Sequence, residues 1–193
     1  MTRLESIEEY LRPIFYILVR KKVMIMEQQL TDGIPKEIDA FIRAAVERQK
    51  TDTWRPAYLS VFYLHSSSLT GTYQYLVRLM NEKMYFDDNF EEFEWFPAFL
   101  YGTMEEEKEV LSYELKRKFV RVKEYEINYG LRQLTKEYKK VMEVYLTKML
   151  CYLHENLSFI ELEKEESFHF LFGDYMGEIK SILIYKGGNI HVC

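Results

Sequence analysis

The stretch from Thr103 to Leu157 constrains this chain more than any other. It holds no proline and one glycine, Gly130, and its apolar side chains recur at steps of three and four residues. That spacing is helical, and it is sustained for about fifteen turns. The stretch opens on Thr103-Met104-Glu105-Glu106. This is capping-box spacing, in which a threonine and a glutamate three residues on satisfy two orphan N–H groups. Glu105, Glu106, Glu107 and Glu109 then stand where the helix dipole favours negative charge. The other segments are short enough to pack on this element.

The apolar stripe changes phase along the way. Leu111, Leu115, Phe119, Val122, Tyr125 and Tyr129 share one helical face, whereas Ile127, Leu131, Leu134, Tyr138, Val141 and Tyr145 share another. Glycine is a weak helix former, and asparagine or glycine often ends a helix in the left-handed conformation. A kink, or two successive helices, is therefore expected at Asn128-Tyr129-Gly130. From Val141 on, Met142, Val144, Leu146, Met149, Leu150 and Leu153 face nearly every direction, as in a buried helix.

Ahead of this element, Thr2 to Leu30 reads as a helix. Thr2 and Glu5 have capping-box spacing, and Pro13 is an interior breaker that kinks or restarts the helix. Thr31-Asp32-Gly33 stops it, and Pro35 opens a second helix with the stripe Ile38, Phe41, Ile42, Ala45, Val46. Gln49 to Pro56 is a loop. From Ala57 to Asp88, tyrosine, valine, phenylalanine and threonine alternate with polar residues, which favours strands near 57–65, 72–80 and 83–87. Ser66 to Gly71 and Asn81 to Lys83 supply the turns; a helical hairpin is the competing reading. After the charged run Glu161 to Glu166, two β-rich runs flank Gly173-Asp174-Tyr175-Met176-Gly177, which is a hairpin signal. Lys186-Gly187-Gly188 is expected to end the ordered part.

The fold class that follows is α+β. It is a mostly helical single domain spanning 1–193, with an antiparallel sheet of about five strands made from the 57–87 meander and the 167–185 hairpin. Helices cover one face of the sheet. Composition agrees, since 48% hydrophobic and 30% charged residues describe a globular chain rather than a disordered one. A net charge of −5 argues against binding a phosphate backbone over the whole surface. Two cysteines make no disulfide framework and point to a reducing, cytoplasmic setting. No run approaches the ~20 apolar residues of a membrane span.

No motif carries chemistry with useful specificity. Cys151 and His154 have the i, i+3 spacing of half a metal site but lack further ligands nearby. His65 and His169 fall in expected strands. Ser66, Ser67 and Ser68 adjoin His65 without a nucleophile elbow. Neither a P-loop nor a dinucleotide glycine pattern is present. The reading therefore assigns no catalytic, cofactor-binding or metal residue and no cofactor. It leaves a non-enzymatic interaction or scaffold protein.

The segment Asp87 to Phe99 is the candidate partner surface. It sets Asp87, Asp88, Glu91, Glu92 and Glu94 among Phe90, Phe93, Trp95, Phe96 and Phe99, with one short helical turn expected from Asp88. Aromatic anchors in a charged rim are how interfaces concentrate binding energy. Asp87, Asp88, Phe93, Trp95 and Phe96 are the residues assigned, for a basic protein partner or a second copy of the chain, with no membrane involved. The competing reading has Phe93, Trp95 and Phe96 plugging a sheet-to-helix junction. Two alternative functions stand behind this one. The first is nucleic-acid association through the basic helical face 116–140 (Lys116, Arg117, Lys118, Arg121, Lys123, Arg132, Lys136, Lys139, Lys140), a partner class the net charge disfavours. The second is a hydrolase with a dispersed site.

Overall fold

In the computed structural model, which describes residues 2–192, the chain runs α1 (Arg3–Thr31), α2 (Lys36–Gln49), β1 (Tyr58–Tyr63), α3 (His65–Thr70), β2 (Tyr75–Met80), β3 (Phe90–Trp95), α4 (Ala98–Tyr101), α5 (Met104–Lys118), α6 (Glu124–Leu150), α7 (Leu157–Glu161), β4 (Ser167–Asp174), β5 (Ile179–Lys186) and β6 (Asn189–Val192). The fold is α+β and mostly helical. It gathers into two units. One takes the run ending at Gln29 together with Pro97–Met142; the other takes Leu30–Phe96 and resumes at Glu143.

The first unit is all helical. Thr2 and Glu5 close a reciprocal capping box: the Thr2 N–H donates to Glu5 Oε2 at 2.7 Å and the Glu5 N–H to Thr2 Oγ1 at 3.3 Å. α1 runs on through the exposed Pro13 and buries Ile7, Leu11, Phe15 and Leu18. The expected break at Asn128–Gly130 is not there. α6 is continuous across it, and the two successive helices are separated at 119–123 instead. Phe119 turns extended there and Arg121 takes φ 54°. Glu126 Oε2 accepts the Lys123 N–H at 2.7 Å and starts α6. Gly130 serves close packing rather than a break: a Cβ at that position would stand 2.7 Å from Leu11 Cδ1.

The expected capping box at Thr103 does not form either, because the threonine hydroxyl has other work. It donates to Glu107 Oε1 at 2.8 Å and accepts from Lys22 Nζ at 2.7 Å. Lys22 in turn stands 3.1 Å from Glu107, and both side chains are buried. Tyr138 lies beneath the ammonium, 5.5 Å from ring centre to Nζ. Burial, and then the Glu107 charge, push its phenol far above the usual tyrosine range.

The second unit is built on one six-stranded sheet, in the order β3-β2-β1-β4-β5-β6. It is mixed, not antiparallel throughout, because β1 pairs with β4 in parallel. The long helical crossover between those two strands makes a parallel pairing possible. Three local expectations also change. Residues 66–71 are not a simple turn but most of α3, ended by Gly71 at φ 79°. Residues 83–87 are not a strand: Met84–Phe86 form a 3-10 turn, held by Asn81 accepting the Lys83 N–H and donating to Asp87. The third strand lies further on, at β3, where a helical turn was expected. Gly187 and Gly188, both at positive φ, do not end the order; they are the two-residue turn from β5 into β6. Cys193 lies outside the described residues.

The sheet's inner face carries Leu59, Val61, Val77, Leu79, Phe168, Phe170 and Leu183, all buried. Helical residues pack on it: Phe159 of α7 meets Phe168 and Phe170, and Tyr145 of α6 meets Trp95. Burial, with the Glu37 and Asp32 charges assisting, pushes the Tyr145 phenol up to about 12. Met149, Leu150 and Leu153 are buried as expected, while Val144 is exposed.

Candidate functional site

β3 is an edge strand, paired with β2 alone. Strand alternation divides its side chains between the two faces of the sheet. Glu91, Phe93 and Trp95 lie on the inner face, and Phe90, Glu92 and Glu94 on the outer one. Trp95, 4% exposed, is wedged between Tyr75 and Tyr145. Phe93 is half-buried against Phe41. Phe96, just past the strand, is 43% exposed. Of the three aromatics expected to anchor a partner, one is therefore core, one is shared and one faces solvent.

The carboxylates divide in a similar way. Asp87 accepts from the Asn81 side chain at 2.8 Å and from the Asn89 N–H at 3.0 Å, and these bonds hold it below the usual carboxylate range. Lys83 stands 3.6 Å away. Glu91 meets Arg48 at 2.8 Å, and the same guanidinium reaches the Phe90 carbonyl and Asn89. Glu92 pairs with Arg78. Asp88 and Glu94 are exposed and make no ion pair among the described residues.

Arg78, which the sequence reading passed over, lies at the centre of the outer face. It stands in one cross-strand row with Ser60 of β1 and Glu92 of β3. Around it Phe62, Leu76 and Met80 form a second apolar cluster, covered by Met84, Tyr85, Phe90 and Tyr175. The guanidinium lies 4.2 Å from the Phe90 ring centre and 5.6 Å from that of Tyr175, within the range of cation–π attraction.

The remaining candidates are put to structural use. His65 opens α3 rather than lying in a strand, and its Nε2 is 3.3 Å from Asp174. His169 lies in β4 against Tyr58, at the other end of β1. The Ser67 hydroxyl accepts from Thr72 and from the Gln74 N–H, which closes the loop. Cys151 donates to the Thr147 carbonyl and His154 bonds the Cys151 carbonyl. No group of three or more metal-ligating side chains occurs among the described residues. The basic face 116–140 is divided between α5 and α6, with Arg117 on Glu114 and Lys140 on Glu137. Beside it, a groove of about 640 Å³ mixes Lys108 and Lys116 with Glu105, Glu109 and Glu124, so it is not of one sign. No helix among the described residues is long and apolar enough to cross a membrane. No family model, curated protein or solved structure matches the chain.

Proposed function

We propose that the protein is a non-enzymatic interaction module that takes a basic, extended segment of a protein partner along the edge strand β3. The observation that carries this reading is the edge itself. A strand paired on one side only presents unpaired backbone groups, here beyond Phe90, whose carbonyl accepts from Arg48 and whose N–H donates to the Asp88 carbonyl, and an extended peptide can add to them as a further strand. Acidic side chains flank that edge on both faces, and the exposed Phe96 ring stands at its end. Charge chooses among occupants. Asp88, Glu91, Glu92 and Glu94 set against a second copy of themselves would repel, whereas lysine or arginine on the incoming strand would be attracted. Charged residues also guard sheet edges against indiscriminate pairing, and a guard of one sign admits the opposite sign.

Titration with an alternating Lys/Val peptide, against its Glu/Val counterpart, tests the reading. Amide exchange of 90–95 should slow with the basic peptide only. Phe96→Ala and Glu94→Lys should weaken binding while leaving the melting temperature nearly unchanged, since both side chains are exposed. Trp95→Ala is no substitute, because its loss would open the core. Protection that is absent, or equal with both peptides, overturns the proposal.

A further inference from the structure

Several features of the outer sheet face do not belong to strand addition. Ser60 is 0% exposed, yet its hydroxyl meets no hydrogen-bond partner. A buried hydroxyl left without a partner is destabilising, because its lost hydration is not replaced. Its cross-strand neighbour Arg78 is 7% exposed, caged by Phe90 and Tyr175. Among the described residues Arg78 bonds one anion, Glu92, and a single oxygen, Oε2, takes both Nε (2.8 Å) and Nη2. The buried Tyr85 hydroxyl donates to no acceptor among the described residues, and the Met176 backbone N–H approaches it. Tyr85 stands within the electrostatic reach of Arg78, whose charge pulls its phenol down against the larger upward push of burial.

The cover over these groups is under local strain. Met84 (φ 51°) and Met176 (φ 58°) are both left-handed without being glycine, and they flank Tyr85 and Tyr175 respectively. Residues held in this conformation are strained and concentrate at ligand clamps and switch regions.

We propose that Ser60, Arg78 and Tyr85 form a binding site for a small oxyanion, a phosphate or carboxylate group, which Glu92 fills from within the chain until that group displaces it. The guanidinium fork matches such groups, and the two hydroxyls can donate to them. Position decides which partner of the ion pair yields. Arg78 is caged, whereas the Glu92 side chain is 37% exposed on an edge strand and can swing to water without stranding a buried charge. This site does not depend on strand addition at β3.

The test removes the internal competitor. Glu92→Ala should bind inorganic phosphate or acetate at least about tenfold more tightly than the parent, the energy of a charged hydrogen bond. Calorimetry at constant ionic strength, with chloride as the control, reads this. Tighter binding of phosphate alone, or of acetate alone, identifies the group. Adding Ser60→Ala to Glu92→Ala should weaken binding several-fold, and adding Arg78→Lys should abolish it by replacing the fork with a point charge. Should Arg78→Lys fail to fold, Ser60→Ala carries the test. No gain with either anion in Glu92→Ala overturns the proposal. So does a gain that survives both Ser60→Ala and Arg78→Lys, which would place the ion on surface lysines.

Discussion

At Gly130 two effects oppose each other. Alanine in a helix interior gains about 1 kcal/mol over glycine. Here its methyl would meet Leu11 Cδ1 at 2.7 Å, in a core where Leu11 is fully buried, and overpacking costs about 1–3 kcal/mol. Gly130→Ala is thus expected to destabilise by about 1 kcal/mol in urea melts, and to stabilise once Leu11→Ala has made room. Equal effects in the two backgrounds would show that Leu11 does not set the sign. Glu126 offers a test by pH. Its bond to Arg3, then the Lys123 N–H, hold its carboxyl below the usual value. A carboxylate lowered on folding contributes stability above its unfolded pKa of 4.5, and that stability is lost as pH falls through the folded value. The stability gap between the parent and Glu126→Gln should therefore be full at neutrality and close below that range. A gap unchanged into acid would refute it. Neither residue's role was open to sequence reading. Glycine looks like a breaker when its packing neighbour lies far off in the chain, and the partner of Glu126 is Arg3, at the far end.

Elements show the same limit at larger size. The spacing that forms a capping box at Thr2–Glu5 fails at Thr103, because Lys22 of α1 arrives to claim the hydroxyl. A buried ion pair of this sort adds little net stability, because the loss of hydration offsets the attraction, but removing one partner alone is costly. Lys22→Met should cost about 3–5 kcal/mol by stranding Glu107, and the pair Lys22→Met with Glu107→Leu should recover most of it. Thermal melts of the two variants decide this; equal losses would mean that the ion pair itself holds the helices. Strand β3 was hidden for another reason. Its Phe-Glu-Glu-Phe-Glu-Trp pattern spreads charge over both faces, and only an edge tolerates that, but edge position is not a local property. By contrast β6 was announced by Gly187-Gly188, a hairpin turn signal read instead as an end. α1, α2 and the 167–185 hairpin were legible because their periodicity is local and sustained, whereas the break in the 103–157 stretch falls at 119–123 and not at 128–130.

In the molecule as a whole, the fold class could be read from composition and period, whereas strand order could not. Nothing in the residues of β1 names β4 as its neighbour. That pairing lies at the middle of the sheet, and about a hundred residues separate its partners. Contacts so distant in sequence slow folding, so refolding of the sheet is expected to lag behind that of α1, α5 and the start of α6. Stopped-flow far-ultraviolet dichroism with the fluorescence of Trp54 and Trp95, both in the sheet unit, would separate the two phases, and one shared rate would contradict the expectation. The same pairing has a consequence during synthesis. A ribosome adding ~5–20 residues per second takes roughly 5–20 s to travel from β1 to β4. For that interval β1 has β2 on one flank and a bare edge on the other, carrying Leu59, Val61 and Phe62. The nascent chain should need a chaperone to shield that edge, and chains stalled before Ser167 should aggregate when released while full-length chains do not.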